Sequence, residues 1–82
     1  MEKKILSKTI NLKTVESEIA ESLEEIQNKF KDIEIGSYPF FRRGKVGVSI
    51  VIRSTEEKLI SICYKDIKDF IKKKKIEIVE KE

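Results

Sequence analysis

The side chains that carry most enzyme chemistry are nearly missing from this chain. It contains no histidine, which removes Ser-His and Cys-His nucleophile pairs and histidine metal ligands. A single cysteine, Cys63, supports neither an internal disulfide nor a cysteine-rich zinc site. No G-x-x-x-x-G-K-[ST] phosphate loop and no G-x-G-x-x-G turn occurs. No catalytic, cofactor-binding or metal-ligating residue is therefore assigned, no cofactor is expected, and the chain reads as a non-enzyme.

Two segments have the chemistry to bind rather than to react. Gly36-Ser37-Tyr38-Pro39-Phe40-Phe41 places three aromatics at a strand end, and Tyr38, Phe40 and Phe41 are the candidate interface residues. Alternation puts Phe40 and Phe41 on opposite faces, so one of them should be exposed. The competing reading is a bulge or bend in which Tyr38 and Phe41 cap the core and Gly36 supplies unusual dihedrals. The second segment, Arg42-Arg43-Gly44-Lys45, offers Arg42, Arg43 and Lys45 to phosphate or nucleic acid. The plainer reading is a basic hairpin tip. Lys72 to Lys75 could also meet an anion, although a solvated helix end matched to the helix dipole explains them. Cys63 lies on an apolar stripe and reads as a small core residue.

The elements that position these groups follow from hydrophobic period. Leu6, Ile10 and Leu12 share one face of a first strand over residues 4–12. Thr14 offers an N-cap, and Val15, Ile19, Leu23, Ile26 and Phe30 then recur at helical spacing. Ile33 and Ile35 begin a second strand, which ends at Pro39 or lies at a sheet edge, since proline cannot donate to a ladder. A hairpin at Arg42-Arg43-Gly44-Lys45 leads to a third strand, with Val46, Val48, Ile50 and Ile52 alternating. Ser54 and Glu57 have capping-box spacing for a second helix, whose stripe is Leu59, Cys63, Ile67, Phe70 and Ile71. Ile76 and Ile78 flank Glu77 in a short last strand before a charged tail.

This order predicts an α+β fold: a two-layer β-α-β-β-α-β sandwich, ferredoxin-like or a closely related plait. One domain is expected over residues 1–82, its ordered core spanning about 5–79. Charged residues make up 40% of the chain and the net charge is +3, too small to argue for nucleic acid alone. The charges are uneven. Residues 15–32 carry Glu16, Glu18, Glu21, Glu24, Glu25 and Asp32 against Lys29 and Lys31, whereas residues 36–53 carry Arg42, Arg43, Lys45 and Arg53 with no acid. No apolar run approaches the ~20 residues of a membrane span, so a cytoplasmic protein with no membrane partner is expected.

Ile35-Gly36-Ser37-Tyr38-Pro39, a glycine-bearing loop, a Val/Ile strand and Arg53 together carry a resemblance. Glu16, Ile19, Ala20, Leu23, Phe41, Val51 and Ile52 extend it. The chain resembles the small, KH-like domain that follows the molybdopterin-binding-like domain in the competence/damage-inducible protein A (CinA) family. The same region occurs in relatives of the front half of eukaryotic FAD synthase. The resemblance implies an accessory domain, as a truncated or split-gene product, that self-associates as a homodimer or docks to a larger nucleotide-handling partner protein. It carries over no catalytic residue. It also draws attention to Gly44-Lys45-Val46-Gly47, because a G-x-x-G loop clamps nucleic-acid backbone in KH domains. There the loop joins two helices, whereas here it opens a strand. Nucleic-acid binding by the basic hairpin is the alternative expectation.

Overall fold

A computed structural model describes residues 4–79; the charged tail at residues 80–82 lies outside them. The elements follow the expected order: β1 (Leu6–Lys13), α1 (Glu16–Lys29), β2 (Glu34–Arg42), β3 (Lys45–Ser54), α2 (Glu57–Lys73) and β4 (Glu77–Ile78). The sheet order is β2-β3-β1-β4, and all neighbours are antiparallel. Each helix therefore crosses over one intervening strand, β3 for α1 and β1 for α2. That is the split β-α-β arrangement of the ferredoxin-like plait.

Register sets which face is buried. Ile10 lies opposite Ile50, Leu12 opposite Val48, and Ile35 opposite Ile52, so the aliphatic positions of three strands share one side. Ile19, Leu23 and Ile26 of α1 and Ile60, Cys63, Ile67 and Ile71 of α2 close that side. Full burial of one such aliphatic contributes about 1.5–3 kcal/mol. Lys29 Nζ meets Asp66 Oδ2 at 2.9 Å and Lys74 Nζ donates to the Glu18 carbonyl at 2.8 Å, so the helices run antiparallel.

Several local expectations change. Thr14 is not the N-cap of α1, because β1 stays paired through Lys13 opposite Glu77 and the helix begins two residues after Thr14. Val15 takes the cap position instead, 45% exposed and off the apolar face. The capping box at Ser54 also does not form. Ser54 Oγ accepts from Glu56 N–H at 3.0 Å and donates to the Asp32 carbonyl at 3.3 Å, so it ties two loops together and α2 starts at Glu57. Ile60 joins the buried stripe of α2, while Leu59 and Phe70 are only partly buried.

β2 is an edge strand, as Pro39 requires. Its outer rim is guarded. Gln27 on α1 accepts from Ile35 N–H at 3.0 Å and donates to the carbonyls of Ile33 at 2.6 Å and Phe30 at 3.2 Å. Ile35 N–H thus faces away from β3, and by alternation so does the backbone of Ser37, Pro39 and Phe41. Pro39 has no N–H to offer there. A side-chain clamp at one point and a proline at another blunt the edge against strand addition.

Candidate functional site

Helices cover one face of the sheet and leave the other bare. On that bare face two glycines make room for two aromatics. Tyr38 folds back over Gly36, where a Cβ would stand 2.7 Å from the tyrosine oxygen. Its oxygen engages Arg53, whose guanidinium also lies 3.4 Å from Glu34 Oε1. Tyr38 first and Glu34 second hold the Arg53 pKa above its ordinary value. Phe40 likewise lies over Gly47, where a Cβ would strike its ring and stand 2.8 Å from the Leu12 carbonyl oxygen. Without a side chain at 47, Phe40 spans β3 and reaches toward β1.

The bend expected at Gly36 is not present. β2 pairs without a break from Glu34 to Arg42, and among the described residues the only glycine with positive φ is Gly44. Nor do Tyr38 and Phe41 cap the core, being 48% and 72% exposed. The three aromatics do not form one patch, because a strand alternates: Tyr38 and Phe40 share the bare face and Phe41 lies on the helix side.

Phe41 sits directly across from Val46, itself 48% exposed. The Glu16 carboxylate of α1 accepts from Ser37 Oγ at 2.8 Å, which marks how far the helix layer extends along β2. Phe41 and Val46 lie beyond it. Their hairpin is closed by Arg43 and Gly44 with φ of 53° and 75°, the pair of positive φ values that a two-residue type I′ connection uses.

A notch opens where β1 ends, between the tip of β3 and the start of β4. It has a volume of about 260 Å³ and is lined by Lys13, Phe40, Arg42, Lys45 and Val46 together with Glu77, Ile78 and Val79. Arg42 stands 5.5 Å from the centroid of the Phe40 ring. The structure thus brings Arg42 and Lys45 together with Lys13. Arg43 belongs to the turn instead and does not line the notch. Lys13 and Glu77 have no mark in the sequence as site residues, and Gly47 is marked there only as the end of the G-x-x-G run; the register of the strands places them at the notch.

Elsewhere the chemistry is quiet. Cys63 is free and buried, and burial, reinforced by the Asp66 charge, pushes its thiol up to about 11. That is the opposite of an activated nucleophile. Among the described residues no cluster of histidine, cysteine, aspartate or glutamate is suited to a metal ion. No helix among them is long and apolar enough to cross a membrane.

The family is decided by one comparison. A family model described as "FAD synthase, middle domain" matches residues 4–80. This chain belongs to that family. No curated protein and no solved structure matches it. Membership in the FAD synthase middle-domain family corrects the assignment to the competence/damage-inducible protein A family, and with it the molybdopterin-linked accessory role. The Gly36-Ser37-Tyr38-Pro39 segment that suggested that assignment is a packing unit of an edge strand, with a glycine seating a tyrosine ring beside a guarding proline. The nucleic-acid reading falls as well. Gly44 belongs to a strand turn and Gly47 to a strand interior, so no G-x-x-G loop between helices exists. Arg42 and Lys45 converge on a notch instead of lining a track for a polymer.

Proposed function

We propose that this chain works as a non-catalytic middle domain of a FAD-synthase-type assembly, seating a neighbouring domain of that assembly. The observation that carries the proposal is the Phe41–Val46 pair, an exposed apolar anchor on a tight hairpin. Aromatic anchors of this kind concentrate binding energy at interface centres. A middle domain in the family's description has neighbours, and no catalytic role attaches to the residues here. Strand addition along β2 is a poor alternative route, because Gln27 and Pro39 block it. Tyr38 and Phe40 serve the bare face, and Phe41 is the residue assigned to the contact. A free, buried Cys63 accords with a cytoplasmic setting.

The test is sedimentation velocity of the chain mixed with the FAD-forming domain from the same source. A complex that is lost in the Phe41→Ser/Val46→Ser double variant supports the proposal, as does the absence of FAD formation by the chain alone. A complex formed equally well by the double variant, or a homodimer that excludes the FAD-forming domain, defeats it.

A further inference from the structure

We infer that the notch at the end of β1 binds a planar aromatic carrying a phosphate, of the size of a mononucleotide. Three observations converge there. Lys13, Arg42 and Lys45 line it against the single carboxylate of Glu77, so the local charge favours an anion. Phe40 supplies a ring wall with a guanidinium beside it, and Val46, Ile78 and Val79 complete an apolar side. With that guanidinium over the ring, a flat heterocycle can stack on the guanidinium plane. Third, the wall is built. Gly47 is the residue that lets Phe40 cross β3, and a Cβ there would push the ring out of the notch.

The volume of about 260 Å³ lies just under the usual range of small-molecule sites. It accommodates one ring system with its phosphate and leaves the remainder of the ligand in solvent. A polymer would need charges spread along a path, and here the three cations gather at one notch. Phe41 does not line the notch, and although Val46 belongs to both, the ligand assignment does not rest on the docking proposal.

The probes are FMN, riboflavin, AMP and inorganic phosphate, titrated into the full chain at low salt. Flavin fluorescence reports the first two, and amide shifts at Lys13, Phe40, Lys45 and Glu77 report all four. The expected result is binding of FMN or AMP, whichever ring fits, with riboflavin weaker by roughly tenfold for loss of the charged contacts. Arg42→Gln and Lys45→Gln should each weaken FMN or AMP by up to about tenfold, and added salt should weaken binding further. Phe40→Leu should reduce FMN or AMP affinity and leave inorganic phosphate unchanged. Lys58→Gln, in the first turn of α2 beyond the far end of β3, is the control and should bind as wild type. The inference is overturned if neither FMN nor AMP shifts these amides at concentrations up to about 1 mM. It is equally overturned if riboflavin binds as well as FMN, or if Arg42→Gln and Lys45→Gln bind like Lys58→Gln.

Discussion

Replacing Gln27 by alanine should cost this small domain a large part of its stability. The amide side chain satisfies three backbone groups at once: Ile35 N–H and the carbonyls of Ile33 and Phe30. Each net hydrogen bond of this kind contributes about 1 kcal/mol, and leaving its backbone partner partly buried and unpaired raises the cost. The sum is roughly 2–3 kcal/mol against a total stability of about 4–12 kcal/mol for a chain of this length. Urea unfolding followed by circular dichroism should show a lowered midpoint, with a melting temperature falling by about 10–20 °C. Hydrogen exchange at the Ile35 amide should lose its local protection, while Ile50 and Ile52 stay protected and speed up only by the global loss. Gln27→Glu separates the roles, because a carboxylate still accepts from Ile35 but cannot donate to the two carbonyls. That variant should recover stability as pH falls and the carboxyl regains a proton. A midpoint for Gln27→Ala within about 0.5 kcal/mol of wild type would refute the reasoning.

Other perturbations have equally definite outcomes. Gly47→Ala should destabilise by about 1–3 kcal/mol, since the added methyl meets the Leu12 carbonyl as well as the Phe40 ring; thermal denaturation measures it. Lys75→Gly should stabilise by about 0.5–1 kcal/mol in the same assay, because Lys75 holds φ of 57° in the C-terminal motif that sends Ile76 N–H to the Ile71 carbonyl. Stability should fall between about pH 9 and 11, where the thiol of the unfolded chain ionises and the buried Cys63 thiol does not. Below pH 9 that contribution is fully present, and Cys63→Ala should remove this part of the slope in pH-dependent urea titrations.

The framework was legible because its signals are periodic. Ile19, Leu23 and Ile26, and then Val48, Ile50 and Ile52, repeat at helical and strand spacing, and both sets are buried where the pattern places them. Pro39 left two readings, a strand end or a sheet edge, and the edge is the one that holds, since β2 runs on to Arg42. Helix starts were less legible. Thr14 and Ser54 have the right chemistry for caps, yet tertiary demands redirect both: strand pairing at Lys13 delays α1, and Asp32 claims the Ser54 hydroxyl. The binding residues were legible only in part. Tyr38, Phe40, Phe41, Arg42 and Lys45 stand out as residue types, but which of them meet depends on strand alternation and register. Lys13 and Glu77 reach the notch only because β4 pairs with the end of β1. Gln27 gives no local cue, since its three partners lie in a loop and strand that follow the helix. The family assignment failed although its likeness drew on residues from Glu16 to Arg53, because the match over residues 4–80 is to the FAD synthase middle domain.

Hydrogen-exchange footprinting with the FAD-forming domain bound is the sharpest test of the functional reading. The prediction is slowed exchange concentrated in the hairpin that carries Phe41 and Val46, with the solvent faces of α1 and α2 unchanged. Protection confined to those helix faces, or no protection at a concentration that saturates the complex, would contradict it.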